Sequence, residues 1–134
     1  MKAIVCIDKK NGMMFFGKRQ SQDSVLRNWI ITHTADSKLW MSNYSADQFS
    51  EESGYIADDA YIEKASADDY CFIENKGFNL ESVSEFIICH WNRQYQADLY
   101  FNVDLKANDF KKISGEDIVG SSHDKITIEI YRRS

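Results

Sequence analysis

Short runs of apolar residues, separated by polar turn residues, predict a fold rich in β-strands. The first run, from Lys2 to Ile7, is almost entirely apolar and is followed by Asn11-Gly12, a pair typical of turns. Apolar side chains on both faces of a run indicate a strand in the middle of a sheet, covered on both sides. We therefore expect a buried first strand over residues 2–7.

The apolar spacing then changes to that of a helix. Apolar residues recur at intervals of three and four, as Val25, Leu26, Trp29 and Ile30. Ser21 or Asp23 is placed to cap the start of this helix, which should run for about three turns. Two shorter helices are predicted, one over residues 45–49 with Ser45 as its cap and one over residues 58–65.

The remaining short runs predict further strands, with residues 13–16 as a short strand or loop. They lie at residues 38–41, 70–73, 84–91, 98–105, 110–113 and 125–131. Because only a short connection separates residues 84–91 from 98–105, these two strands are expected to be adjacent, and a hairpin is one such arrangement. The last two runs should meet across residues 115–124. The chain is thus predicted to be α+β (α/β-like), with a mixed central β-sheet flanked by a few helices.

Composition agrees with one folded domain over residues 1–134. Of the 134 residues, 43% are hydrophobic and 28% charged, and no proline, repeat or low-complexity tract marks a linker. No apolar run approaches the ~18 residues that a membrane span needs. The first apolar run also meets acid and lysines too early for a signal peptide. We therefore expect a soluble, cytoplasmic protein.

Charge limits the kind of partner. The formal net charge is −5 and the basic residues occur in scattered pairs, so long-range attraction to phosphate backbones is not favoured. Nucleic acid is therefore not an expected partner. An unidentified small molecule or protein is expected instead, and the sequence does not define the oligomeric state.

The cysteines and histidines do not form a pattern of metal ligands. Each type occurs three times and its members lie far apart: Cys6, Cys71 and Cys89, and His33, His90 and His123. No C-x-x-C pair is present, and no histidine has another at i+2 or i+4. The sequence predicts buried thiols and no metal.

Several strings resemble parts of the dihydrofolate reductases. Residues 3–13 are similar to the first strand of that family and the loop that leaves it, residues 39–45 to a strand entering a phosphate-binding turn, and residues 97–101 and 125–132 to late strands. Asp23 falls near the helix start, where the family keeps the carboxylate that binds the pteridine ring. The resemblance implies the fold of a shortened dihydrofolate reductase.

The glycines that this family uses to approach its cofactor are replaced. Cys89-His90 stands where the family has a Gly-Gly pair, and Ser42-Asn43 stands at the phosphate turn. Side chains at these four positions would fill the space that NADP needs. We therefore expect neither a bound cofactor nor typical dihydrofolate reductase activity.

Other strings resemble a family of small uncharacterised bacterial proteins that often carry an automatic ribonuclease Z label. They include residues 19–23, 39–41, 69–72, 91–93 and 122–126. A ribonuclease Z needs two metal ions held by a dense H-x-H-x-D-H cluster. The three isolated histidines exclude that chemistry here.

The candidate ligand-binding residues are Asp23, Arg19, Trp91, Arg93 and Tyr95. Asp23 is either the helix cap or a carboxylate at the base of a pocket. The three residues at 91, 93 and 95 mark either a binding surface or a turn at the sheet edge. The sequence predicts a non-catalytic binding or interaction domain on a reductase-like scaffold; the alternative is a small enzyme that acts on a heterocyclic ligand held by Asp23.

Overall fold

A computed structural model describes all residues, 1–134, and contains two sheets. The strands of the main sheet are β1 (Lys2–Ile7), β4 (Leu39–Met41), β5 (Ile56–Ala57), β6 (Tyr70–Phe72), β7 (Glu85–His90), β9 (Phe110–Ile118) and β10 (Ile126–Arg133). They lie in the order β5-β4-β6-β1-β7-β10-β9. A small second sheet joins β3 (Lys18–Arg19), β2 (Gly12–Phe15) and β8 (Leu99–Tyr100) in that order.

Three α-helices and two 3-10 turns connect these strands. The helices are α1 (Ser24–His33), α2 (Asn43–Ala46) and α3 (Tyr61–Lys64), and the 3-10 turns are Asp47–Phe49 and Leu80–Ser82. None of the helices has the length and apolar character that a membrane crossing requires. The predicted combination of a mixed sheet with a few helices is confirmed.

The first strand lies in the centre of the main sheet, as its apolar sequence predicts. It pairs in parallel with β6 on one side and with β7 on the other. Ala3, Ile4 and Val5 have no exposed surface. Alternate residues enter two separate cores, with Ile4 packed in the cluster that contains Leu26 and Ile30 of α1, and Val5 in the cluster on the other face.

The expected pairing of residues 84–91 with 98–105 is wrong. Strand β7 is flanked instead by β1 and by the antiparallel strand β10. Since both of its edges are already paired, a third strand cannot join it. Residues 99–100 form the two-residue strand β8, which pairs with β2 in the small sheet.

Other boundaries differ by a few residues. Ser42 rather than Ser45 caps α2, because the Ser42 hydroxyl accepts the Ser45 N–H at 3.1 Å. The predicted helix at 58–65 is reduced to the single turn of α3. Strand β9 runs to Ile118, five residues further than predicted, because its pairing with β10 extends to Ile126.

Candidate functional site

A narrow cleft lies where the carboxyl end of β1 meets the start of α1. Its lining includes Cys6 of β1, Leu26 and Ile30 of α1, Phe49 of the first 3-10 turn, Phe72 of β6 and Trp91 after β7. Polar residues from the segment 19–23 and Glu74 complete the wall. About 400 Å³ lies between these atoms, open solvent included, but only about 20 Å³ of it admits the centre of a water molecule. A cleft of this size holds about one water.

Asp23 caps α1 and is also part of the cleft wall. Its Oδ1 accepts the N–H groups of Val25 at 3.0 Å and Leu26 at 3.3 Å, which is the usual role of an N-cap carboxylate. The same oxygen accepts the Ser121 N–H at 3.0 Å, and Oδ2 accepts the Ser122 N–H at 2.9 Å. The carboxylate therefore joins the helix start to a loop about 100 residues away.

This convergence of donors favours the ionised carboxylate. Burial by itself raises the pKa of Asp23, but the hydrogen bonds from Ser122, His123, Ser121 and Leu26 outweigh it and lower the pKa well below the ordinary value. The Asp23 side chain has no exposed surface. A glycine at 120 permits this approach, because a Cβ there would overlap the Asp23 carboxylate.

His123 connects Asp23 to Ser21, another residue of the cleft wall. Its Nδ1 lies 2.9 Å from Asp23 Oδ2 and its Nε2 lies 2.9 Å from the Ser21 hydroxyl. The hydroxyl of Tyr95 lies 3.2 Å from the same Nε2. The ring stacks on Trp91 with centroids 4.6 Å apart, and only 2% of the side chain is exposed. The histidine is thus fixed on every side.

A second ion-paired group forms the opposite part of the lining. Arg19 donates from Nε and Nη2 to the two carboxylate oxygens of Glu74, each at 3.1 Å. Its guanidinium also lies 4.4 Å from the Tyr44 ring centroid. Glu74 is buried and accepts a further hydrogen bond from the Ser45 hydroxyl at 2.8 Å. This bidentate geometry holds both charged groups in place.

A second buried carboxylate, Asp8, supports the neighbouring loops. It accepts the N–H groups of Lys10, Gly12 and Tyr95 and the side-chain amide of Gln20. Burial opposes ionisation, but these hydrogen bonds lower the pKa of Asp8. The contacts with Tyr95 and Gln20 connect the turn after β1 to two segments near the cleft.

Four of the five candidate residues gather around the cleft, although their sequence positions differ widely. Asp23, Arg19 and Trp91 line it. Tyr95 does not, but its hydroxyl lies 3.2 Å from His123, which contacts the lining residues Ser21 and Trp91. Arg93 does not take part: its side chain is exposed, and its carbonyl accepts the Lys9 N–H. Whether any of them binds a ligand stays a prediction.

Three residues of the site were not among the candidates from the sequence: Glu74, His123 and Ser21. Ser21 was considered only as a helix cap. His123 was set aside because no second histidine is near it in sequence. Its partner Asp23 is 100 positions away, and Glu74 lies 55 positions from Arg19. No local spacing could have revealed either pair.

Residues 42, 43, 89 and 90, where the reductase resemblance implies cofactor contacts, make contacts within the protein. The Cys89 side chain is fully buried, and His90 Nε2 lies 2.6 Å from Glu129 Oε1. Ser42 caps α2, and the Asn43 N–H donates to the Asp59 carboxylate at 2.9 Å. No group of three or more His, Cys, Asp or Glu side chains lies close enough to share a metal ion.

The arrangement of strands has a counterpart among solved structures. A dihydrofolate reductase from Enterococcus faecalis, described as complexed with NADP(H) and RAB-propyl, matches with a TM-score of 0.65 over 99% of this chain and 95% of the reductase. The fold is that of a dihydrofolate reductase. The sequences are 12% identical, so the likeness concerns the fold alone. No sequence-family model and no curated protein matches the chain.

The match confirms the reductase resemblance at the level of the fold. It carries no information about ribonuclease Z, and the likeness to the small bacterial proteins stays a prediction. A cytoplasmic location and a bacterial source also stay predictions.

Proposed function

We propose that the protein binds a small ligand with a polar edge in the cleft between β1 and α1, and that it does not reduce dihydrofolate with NADPH. It would thus be a binding domain on a dihydrofolate-reductase-like scaffold. The expected ligand is a small heterocycle or amide that carries both a hydrogen-bond donor and an acceptor; the cleft, which has room for about one water, would have to widen to admit it.

Two unpaired polar atoms carry this proposal. Gln20 Oε1 and Gln48 Nε2 are both buried without a hydrogen-bond partner, and both residues line the cleft. Gln20 Nε2 donates to Asp8 and to the Gln96 carbonyl, which fixes its Oε1 as the free acceptor. A buried polar atom without a partner costs about 1–3 kcal/mol. A ligand that supplies one donor and one acceptor would remove both costs.

The contacts around α2 support the proposal that the protein does not reduce dihydrofolate with NADPH. A phosphate would approach the N-terminus of α2, but the Asn43 N–H already donates to the carboxylate of Asp59. Asp58, the preceding residue, forms an ion pair with Lys64. The Asp59 carboxylate therefore already takes the N–H donor that a dinucleotide phosphate would need at the start of α2. We infer that the residues present do not fit NADP.

Asp23 is not assigned a direct ligand contact in this proposal. In the resemblance it would pair with a pteridine ring, yet six donors of the protein already surround its two oxygens: four backbone N–H groups, the Ser122 hydroxyl and the His123 ring. A carboxylate satisfied in this way gains little from a further donor.

Ligand-dependent thermal stability tests the proposal. Uracil and pterin serve as probes, because their lactam edges place an N–H beside a carbonyl, and toluene serves as an apolar comparison. At about one hundred times its Kd, a bound ligand adds about 2.7 kcal/mol of stability, which raises Tm by roughly 10 °C. We expect a lactam probe, but not toluene, to raise the Tm of the wild type.

Matched glutamine variants assign the effect to the cleft. Gln48→Leu should abolish the rise in Tm, whereas Gln94→Leu, at an exposed glutamine, should retain it. The proposed ligand binding in the cleft is wrong if no lactam probe changes the Tm, or if both variants respond alike. The proposal that the protein does not reduce dihydrofolate with NADPH is wrong if NADPH binds at micromolar concentration, or if its absorbance falls with time when dihydrofolate is added.

A further inference from the structure

Ser21, His123 and Asp23 form a continuous hydrogen-bonded chain from a buried carboxylate to a hydroxyl on the cleft wall. Asp23 Oδ2 lies 2.9 Å from His123 Nδ1, and His123 Nε2 lies 2.9 Å from Ser21 Oγ. The carboxylate and the imidazole are buried, whereas Ser21 is half-buried and lines the cleft. Carboxylate, imidazole and hydroxyl in this order can activate a serine as a nucleophile.

The environment of His123 fixes which nitrogen carries the proton. An ionised carboxylate only accepts hydrogen bonds, so Nδ1 facing Asp23 must be protonated. In the neutral ring this leaves Nε2 as an acceptor, directed at the Ser21 hydroxyl. Stacking on Trp91 holds the ring in that orientation. The base is therefore already in the tautomer that can remove the serine proton.

Backbone donors are available beside Ser21. The N–H groups of Gln22 and Asp23 donate no hydrogen bond within the protein; of these two residues only Asp23 lines the cleft. Donors of this kind stabilise the oxyanion that forms when a serine attacks a carbonyl. The apolar side chains of Leu26, Ile30 and Phe49 lie along the same cleft and suit the acyl part of a substrate.

We propose that Ser21 is the nucleophile of an acyl-transfer site, with His123 as general base and Asp23 as the residue that orients it, acting on short-chain esters. This inference rests on the proposed binding of a small ligand in the same cleft. Because the cleft is narrow, an acetyl group needs the least widening and is preferred over longer acyl chains.

The reaction balances with water as the only co-reactant. Ser21 Oγ forms a bond to the acyl carbon while its proton moves to His123 Nε2. The bond from the acyl carbon to the leaving alcohol then breaks, and Nε2 returns the proton to the alcohol oxygen. Water attacks the acyl-serine, gives a proton to Nε2, and releases the carboxylic acid as Ser21 recovers its proton.

Tyr95 competes for the same nitrogen. Its hydroxyl lies 3.2 Å from His123 Nε2, slightly further than the hydroxyl of Ser21, and one lone pair cannot accept both protons well. Tyr95→Phe should therefore strengthen the pairing of Ser21 with His123. If these residues only hold the loop 120–123 against α1, Tyr95→Phe should not increase the reactivity of Ser21.

Covalent labelling tests the proposal on the intact protein. A fluorophosphonate probe should add the mass of one adduct, located at Ser21 by peptide mass spectrometry, and p-nitrophenyl acetate should be hydrolysed faster than p-nitrophenyl octanoate. Ser21→Ala should abolish the adduct and lower the rate of acetate hydrolysis at least about 100-fold. Ser37→Ala, at an exposed serine after α1, should keep both. Tyr95→Phe should label faster than the wild type.

The outcomes separate this inference from the proposed function. An unlabelled Ser21, or equal hydrolysis by the wild type and Ser21→Ala, would overturn the acyl-transfer site. If Ser21 is not labelled while the lactam probes still raise the Tm of the wild type, the binding function stands and the catalytic one falls. Tm measurements of each variant without ligand exclude misfolding, and Ser21→Ala should unfold within a few degrees of the wild type, because one hydroxyl–imidazole contact contributes about 1 kcal/mol.

Discussion

Replacing Asp23 by asparagine is the sharpest test of how the cleft wall is held. Asparagine has the same shape but keeps only one oxygen. If this oxygen takes the Oδ1 position, it still accepts the N–H groups of Val25, Leu26 and Ser121, but the new NH₂ group faces two donors, the Ser122 N–H and His123 Nδ1. The opposite orientation deprives the three donors on Oδ1 instead.

The magnitude follows from the donors that lose their acceptor. In the less damaging orientation His123 can change tautomer and accept from the NH₂ group, but the buried Ser122 N–H stays unpaired, which costs about 1–3 kcal/mol, and the remaining hydrogen bonds lose the charge of their acceptor. We expect Asp23→Asn to lower the free energy of unfolding by about 3 kcal/mol or more. Small domains have a total of about 5–15 kcal/mol, so the variant should still fold, with a Tm lower by roughly 10 °C.

The pH dependence gives an independent check. Because the folded-state pKa of Asp23 is below its ordinary value of 3.8, the ionised carboxylate stabilises the fold fully above the unfolded-state pKa. This stabilisation is lost as the pH falls towards the folded-state value. The difference in unfolding free energy between wild type and Asp23→Asn should therefore be constant above about pH 5 and shrink below about pH 4.

Urea unfolding followed by tryptophan fluorescence, repeated across this pH range, measures both effects. Asp47→Asn is the control. Because Asp47 is exposed, its replacement should change the free energy of unfolding by less than about 0.5 kcal/mol. The inferred network would be refuted if Asp23→Asn lowered the free energy of unfolding by less than about 0.5 kcal/mol. It would also be refuted if the difference in unfolding free energy between wild type and Asp23→Asn did not change with pH.

Two further predictions concern the packing around the cleft. Gly120→Ala should lower the free energy of unfolding by about 1–3 kcal/mol, because its Cβ would overlap the Asp23 carboxylate; Gly77→Ala, where a Cβ meets nothing, should be nearly neutral, and urea unfolding of the two decides the point. Burial raises the pKa of the Cys71 thiol to about 11, so iodoacetamide at pH 8 should alkylate Cys71 only in guanidinium, as peptide mass spectrometry would show. Rapid alkylation of the folded protein would contradict this.

The double role of Asp23 explains why its function was ambiguous in the sequence. A carboxylate at a helix start is typical both of a cap and of a ligand site, and no local feature separates these roles. The structure shows the cap directly and adds the contacts with Ser121 and Ser122. Those contacts come from the loop before β10, whose approach to α1 depends on Gly120.

The sequence by itself determined the elements whose signals are local. The apolar run of β1 and the alternation of Ile126 and Ile128 in β10 show which side chains are buried, because periodicity follows directly from backbone geometry. The helical spacing of α1 identifies the helix and its buried Leu26 and Ile30, but Val25 of the same pattern is 39% exposed. The cap at Asp23 is equally local, since it involves N–H groups two and three residues away.

Only the tertiary structure decided which strands pair and which side chains form the cleft. The sequence placed residues 98–105 beside β7, but β10 occupies that edge, and strand pairing is decided by competition among all strands of the sheet. Ser21 meets His123 across 102 positions, and Arg19 meets Glu74 across 55. Such contacts leave no periodic trace in the sequence, because they depend on how the whole chain packs.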